Sequence, residues 1–374
     1  MRPTRNRDKE MKNNIKTKIY NLIILDKSGS MESIAGAAVS GFNETLEGIR
    51  AAQKQFSDTQ KHYVSLLPFC ACSMKYVYNC VPVDMVNRLT HSMYQPCCRT
   101  PLYDAMGKGI TELSRRTKDE KTAAVIVTVI TDGLENASRE YNGKAIKALV
   151  DKMKEEYGWN FSYIGTNQDV ESVAANLSIS NTMYFEDTEE GTGAMFKTVS
   201  KSGNSMYHKM DLFFRKIYGD TDESVEECTG AIHEMLRENK NFREIGEFSH
   251  RMTPDRVDHL KDGQIFVFGS NPMGNHNGGA ACDALLYFGA VMGQGEGLQG
   301  RSYAIPSTDG MDSLSKHVRT FVDFADKHPE LTFLVTRIGC GVAGYTDQEV
   351  APLFAGVVDM ENVWLPKEFW EEII

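Results

Sequence analysis

Asn21-Leu22-Ile23-Ile24-Leu25-Asp26-Lys27-Ser28-Gly29-Ser30 and Ala123-Ala124-Val125-Ile126-Val127-Thr128-Val129-Ile130-Thr131-Asp132-Gly133 follow one pattern. In each, an apolar run ends abruptly in oxygen-bearing side chains and glycine. The second run, Ala123 to Ile130, is the strongest strand signal in the chain. Apolar runs of this kind suit strands buried on both faces of a parallel sheet. The first run reaches back to Thr17. Outward from these two, helical spacing covers Ile34 to Gln55, Leu102 to Ser114 behind Pro101, and Tyr141 to Tyr157. Val64 to Phe69 and Met74 to Tyr78 read as a strand pair, and Trp159 to Ile164 as a further short strand. Buried strands alternating with helices predict an α/β domain with a mostly parallel sheet.

In such sheets ligands bind beyond the carboxyl ends of the strands. Asp26, Ser28 and Ser30 stand there on one tight loop, and Asp132 stands at the end of the second run. Thr100 comes from a third loop that the same sheet brings to the same edge. Together they offer only hydroxyl and carboxylate oxygens. Hard oxygen donors with few carboxylates suit Mg²⁺; Ca²⁺ and Mn²⁺ share the preference and stay as alternatives. An isolated D-x-S-x-S is ordinary turn chemistry. Agreement among three separate segments is what raises this set above that reading.

The arrangement resembles the metal-ion-dependent adhesion site of von Willebrand factor A (VWA) domains, over the full length of this first domain. Asp26, Ser28 and Ser30 match the family's first motif, Thr100 its threonine and Asp132 its final aspartate. The stretch Gly158 to Asn167 looks like bacterial members, whereas Cys97-Cys98 replaces a common glycine. The resemblance implies a Rossmann-like fold and a cation whose open position takes a carboxylate from a partner protein. No nucleophile or general base accompanies the five residues, so it implies docking. Asp104 reads as a second acceptor or, with more weight, as a helix N-terminal charge.

From about Gly193 to Asp262 the chain reads as helical and charged. Met206 to Ile217 is expected to pack back on the first domain, and Asp222 to Asn241 to form a charged helix in a solvated spacer. A new pattern starts at Gln264. Ile265 to Gly269 reads as a strand, Ala280 to Phe288 as a helix, Ser302 to Ile305 as a strand, Leu314 to Lys327 as a helix and Leu331 to Thr336 as a strand. A helix is expected near Asp347 to Phe354. Two glycine-rich loops, Asn271 to Gly279 and Gly339 to Gly344, each follow a strand and precede a helix. Backbone N–H groups at such a junction suit a diphosphate. The competing reading is that the glycines only make tight turns.

This second, smaller α/β domain resembles macro domains, which bind ADP-ribose and related nucleotides. Asn271, His276, Gly278 and Gly279 match the first loop, and Gly339, Gly341, Gly344 and Tyr345 the second. Gly293 to Pro306 is similar to a divergent, phage-associated branch, and the likeness covers Gln264 to Pro366. The family's adenine-contacting Gly-Asp-Ile is missing. Ala281 and Cys282 occupy the register of the acid found in hydrolytic members, with Asp283 just beyond. His276, Asp283 and Glu296 are the nearby acid–base candidates, and Arg337 a phosphate or ion-pair partner.

The formal net charge of −10 argues against a phosphate-gripping nucleic-acid binder. No apolar stretch reaches the roughly 18–20 residues that span a bilayer. Met1 to Asn14 is polar and basic, without the apolar centre of a signal peptide. Residues 1–16 are therefore expected to be a disordered leader, with Met11 as a plausible start and a cytoplasmic location. The eight cysteines are expected as free, mostly buried thiols, because Cys70-Ala71-Cys72 and Cys97-Cys98 lack the C-x₂-C spacing of structural zinc sites. The expected layout is a VWA domain at 17–217, a helical linker at 218–262 and a macro-like domain at 263–374. The function it implies is a two-domain binding protein: a protein partner docks through Mg²⁺, and an ADP-ribose-like nucleotide binds the second domain. An ADP-ribosyl hydrolase and a scaffold without a nucleotide site are the alternatives, and no nucleic-acid or membrane partner is expected.

Overall fold

The computed structural model describes residues 16–120, 122–166, 169–220 and 225–374, with backbone alone for 217–220 and 225–228. The leader, Asn167 and the beginning of the charged helix at Asp222 fall outside them. The chain divides into two compact units. The first comprises residues up to Gly203 together with Phe213–Phe242, and the second Asn204–Leu212 with Arg243–Ile374.

The first unit is built on a seven-stranded sheet. Its strands are β1 (Thr17–Asp26), β2 (Gln60–Cys70), β3 (Ser73–Met74), β4 (Tyr78–Pro82), β5 (Ala123–Thr131), β6 (Asn160–Gly165) and β7 (Asn181–Tyr184). The order is β3-β2-β1-β5-β6-β7, with β4 also pairing β2. β1 pairs in parallel with both β2 and β5, while the short β3 and β4 run antiparallel on the outer side of β2. Every residue of β5 is buried, as the unbroken apolar run requires. Helix Leu102–Thr117 buries Leu102, Ala105, Met106, Ile110 and Leu113, one face at helical spacing. It and helix Gly143–Tyr157 share a core with Tyr20, Leu22 and Ile24. Asn142 caps the latter helix by accepting from the Ala145 N–H, and Gly158, at φ +61°, ends it.

The chain leaves β1 for β2 on one side and returns to β5 on the other. The carboxyl ends of β1 and β5 thus form a topological switch point, where a crevice opens because the connections diverge. Strand β7 was not expected; its residues are half-buried or exposed, so they carry no apolar run to read.

Two expectations for the middle of the chain are corrected. Met206 to Ile217 does not simply return to the first unit, because Asn204–Leu212 packs with the second. There Ser205 donates to the Ala355 carbonyl at 3.2 Å, and Arg319 grips the Asp211 carboxylate at 2.8 Å. The segment Val225–Glu238 is no solvated spacer either. Ile232 and Leu236 are buried, His233 bonds the Ala123 carbonyl at 2.8 Å, and Asn160 donates to the Leu236 carbonyl at 2.9 Å. Charge on the outer face of that helix conceals the apolar stripe.

The second unit carries a five-stranded sheet of β8 (Gln264–Ser270), β9 (Gly297–Gln299), β10 (Ser302–Pro306), β11 (Thr332–Val335) and β12 (Val363–Trp364). The order is β12-β11-β8-β10-β9, parallel except for β9. β8 is central, with β10 and β11 on either side, so this sheet too has its switch point at the carboxyl end of its first strand. Helix Met311–Lys327 buries Leu314, Val318, Phe321, Val322 and Ala325 against one face. The chain is thus a pair of α/β units with mostly parallel sheets.

Candidate functional site

Asp26 closes β1 and is fully buried. Its Oδ1 accepts the Ser28 backbone N–H at 2.7 Å, which folds the loop back on the carboxylate. Its Oδ2 accepts the Thr131 hydroxyl at 2.6 Å, from the neighbouring strand β5. Ser30 donates to Asp132 Oδ1 at 2.9 Å, and the Ser28 and Ser30 hydroxyls lie 3.2 Å apart. Asp26, Ser28, Ser30 and Asp132 therefore form one connected set of oxygens across the switch point. Asp132 Oδ2 is buried and has no hydrogen-bond partner.

Thr100 joins the set from the third loop. A Cβ built on Gly133 would lie 3.3 Å from Thr100 Oγ1 and 4.0 Å from Ser30 Oγ, so both hydroxyls face the same small space. The Thr100 backbone is held at both ends: its N–H donates to Asn136 Oδ1 at 2.9 Å, and its carbonyl accepts the Asn136 N–H at 3.1 Å. All five residues read from the sequence are brought together at one sheet edge.

The electrostatics run against two bare carboxylates. Burial pushes Asp26 up to about 6, against the opposing pull of its bonds from Thr131 and Ser28, and Asp132 adds to the rise. Asp132 is itself raised, first by burial and also by Asp187. A partnerless buried oxygen and two destabilised carboxylates are what a cation would satisfy. The donor set, with hydroxyls and only two carboxylates, fits Mg²⁺ by its chemistry.

Glu135 and Tyr94 escaped the sequence reading, and Asp104, read mainly as a helix N-terminal charge, does more than that. Glu135 accepts the Tyr103 N–H at 2.9 Å with one oxygen and the Ala137 and Ser138 N–H groups at 2.8 and 2.7 Å with the other. Asp104 accepts the Arg139, Glu140 and Tyr141 N–H groups at 2.8, 2.9 and 2.8 Å. Asp104 is thus a clamp on the loop after Asp132, more than a helix-end charge. Tyr94 donates to the Asp26 carbonyl. The signal was present in the polar run Thr131 to Ser138, but its partners lie some thirty residues away in the chain.

The expectation of eight free thiols is also corrected. Cys72 and Cys98 form a disulfide that ties the turn after β2 to the threonine loop. Spacing along the chain says nothing of this pairing, because sheet pairing brings the loops together.

In the second unit the glycine loops gather at the carboxyl edge. A Cβ on Gly269 would lie 3.1 Å from Ser307 Oγ and 3.6 Å from the Gly339 nitrogen, so the ends of β8, β10 and β11 approach closely. Gly339, at φ +79°, lies under the Tyr345 ring. Gly278, Gly279, Gly341 and Gly344 have no atom within 4 Å of a built Cβ. These four serve no internal packing. Asn271 spans its own loop, donating to the Asn275 carbonyl at 3.1 Å. His276 lies fully buried beneath that loop, bonded to Ser270 at 2.9 Å and edge-on to Phe268, with its Nδ1 unpartnered. Arg337 is held by Asp347 at 2.6 Å, so it is an ion-pair residue first.

Fold and site define an α/β unit with an all-oxygen cluster at its switch point. Solved structures similar to the chain include the von Willebrand factor type A protein from Catenulispora acidiphila (12% identity, TM-score 0.36), covering 49% of this chain and 42% of that one. The SpRpn10 VWA domain is similar over 48% of this chain and 93% of its own length, at 11% identity and a TM-score of 0.32. The open conformation of the pilus adhesin SpaC from Lactobacillus rhamnosus GG is similar at 15% identity and a TM-score of 0.38, over 50% of this chain and 30% of that one. The aligned part thus spans less than half of the Catenulispora and SpaC chains. No family model and no curated protein matches the chain.

Proposed function

We propose that the first unit is a cation-dependent docking module of the VWA type. Asp26, Ser28, Ser30, Thr100 and Asp132 would hold Mg²⁺, and the partner would be a protein presenting an acidic side chain. The observation that carries this reading is the buried, partnerless Asp132 Oδ2 within a connected set of oxygens. When bound, the ion supplies a charge that a partner carboxylate can share. The chain's own residues do the rest: Thr131 and the Ser28 amide orient Asp26, Ser30 orients Asp132, and Asn136 fixes the threonine loop. No side chain among them is placed as a nucleophile, which favours binding over turnover. Calorimetric titration with Mg²⁺ tests this directly. One saturable site, lost in Asp132→Asn, supports it; no heat at millimolar Mg²⁺ rejects it.

For the second unit we infer a site for an ADP-ribose-like nucleotide at the two glycine loops. Four glycines whose missing side chains leave open space at the carboxyl edge favour it, since a phosphate could approach their backbone closely, although the Gly344 N–H already donates to the Gly341 carbonyl at 3.0 Å. The burial of His276 and the loop-closing role of Asn271 give no support to a hydrolase. Titration with ADP-ribose and with NAD is the test; no binding leaves these glycines as turn residues.

A further inference from the structure

We propose that Cys70, Cys72, Cys97 and Cys98, once the Cys72–Cys98 bond is reduced, hold one thiophilic divalent cation of the zinc type beside the oxygen site. The Sγ atoms of Cys72, Cys97 and Cys98 all lie within 4.8 Å of one another. Cys70 Sγ is 3.4 Å from Cys97 Sγ. Around a tetrahedral zinc with Zn–S near 2.3 Å, sulfurs stand about 3.8 Å apart, so Cys72 and Cys98 would part from their bond and Cys70 would turn toward the cluster from its contact with Cys97. The Cys72–Cys98 disulfide uses two of the four sulfurs; Cys97 Sγ lies within 4.8 Å of both, and Cys70 Sγ touches Cys97.

The sequence argument against zinc rested on spacing, because neither C-x-C nor C-C is the usual knuckle. The tertiary structure removes that objection by bringing the two pairs together. Ala71 N–H donates to the Arg99 carbonyl at 2.9 Å, Cys97 N–H to the Lys27 carbonyl at 2.9 Å, and Gly29 N–H to the Cys98 carbonyl at 3.0 Å. The sulfur-bearing loops are therefore held in place before any ion arrives. Three of the four do not behave as small apolar core residues: Cys72 and Cys98 are exposed and Cys97 is half-buried, while Cys70 is buried beneath them at the end of β2. Soft sulfur and hard oxygen select different ions, so the two neighbouring sites need not compete for one metal.

The chemistry balances. A dithiol reductant gives two electrons and two protons to the Cys72–Cys98 bond and itself closes to a disulfide. The four thiols then release four protons as four metal–sulfur bonds form. The filled site would join the turn after β2 to the loop that carries Thr100, the role the disulfide plays when oxidised.

The test uses Co²⁺ as the probe on the full chain, fully reduced with a phosphine in the absence of oxygen. The expected result is a sulfur-to-cobalt charge-transfer band that saturates at one ion per chain, is removed by Zn²⁺ and is lost in Cys97→Ser. The oxygen set around Asp26 cannot produce that band. Protection of the same four cysteines from alkylation by Zn²⁺, read by mass spectrometry on the unaltered chain, gives the answer without a variant. No band from the reduced chain, a band that survives Cys97→Ser, or equal alkylation with and without Zn²⁺ overturns the proposal.

Discussion

Ser30 donates a 2.9 Å hydrogen bond to Asp132, a residue 102 positions further along the chain. This bond joins the loop after β1 to the loop after β5 and orients the carboxylate whose other oxygen is partnerless. Replacing Ser30 by Ala removes both a hydroxyl donor and the bond that aims Asp132. Mg²⁺ affinity should fall at least about tenfold, roughly 1.4 kcal/mol. The Ser30 side chain is exposed, so the urea midpoint should barely move. A variant that binds Mg²⁺ as the parent does would remove Ser30 from the site.

Glu135 supports the threonine loop from below, accepting three backbone N–H groups and the Ser138 hydroxyl at 2.6 Å. Glu135→Ala leaves those donors without their partner, at a cost of about 2–3 kcal/mol. The loss should appear as an earlier urea midpoint for the first unit, together with weaker Mg²⁺ binding. Unchanged stability would mean that water replaces the carboxylate at no cost.

Acid should destabilise each unit through a buried histidine. Burial pulls His62, in the first unit, and His208, in the second, down to about 3. The unfolded chain takes up their protons below about 6.5, while the folded chain refuses them until about 3. The contribution is therefore intact above pH 6.5 and declines as pH falls through that window. The slope is about 1.4 kcal/mol per pH unit for each histidine. Urea unfolding between pH 7 and pH 4 measures it, and His62→Gln should remove about one proton's worth of slope from the first transition alone, where the raised Asp26 acts in the opposite sense below about pH 6.

Arg251 is almost fully buried in the second unit, against the stacked rings of Phe248 and Trp370. Its guanidinium donates to the Val358 carbonyl at 2.6 Å and also to the Met360 carbonyl. Arg251→Ala removes the stacking and strands those carbonyls, so a loss of about 3–5 kcal/mol is expected. Thermal unfolding should show the second unit melting early while the first keeps its transition.

Gly341 is the cleanest probe of the nucleotide reading. A Cβ there has no atom within 4 Å, whereas Gly279 sits at φ +55°, where a side chain strains the backbone. Gly341→Leu should leave the melting temperature in place and abolish any binding of ADP-ribose. Binding that survives it places the ligand elsewhere.

Much of this architecture was legible in the residues. β1 and β5 followed from apolar runs, because burial on both faces leaves no room for polar alternation. Asp26, Ser28, Ser30 and Asp132 were found just at or beyond strand ends, because parallel sheets put their crevice there, and Thr100 came from a third loop. Helix Leu102–Thr117 followed from the spacing of Leu102, Met106, Ile110 and Leu113. The sequence by itself thus determined the α/β class, the second α/β unit and the oxygen set at the first sheet's edge. Only the tertiary structure decided that Asn204–Leu212 packs with the second unit, that Cys72 meets Cys98, that His276 lies beneath its loop and that one oxygen of Asp132 is left without a partner. The division has one physical cause. Periodicity reports how deeply a residue is buried, which its neighbours in the chain share. Which side chain meets it there depends on loops brought together by sheet order, and that information is spread over the whole chain.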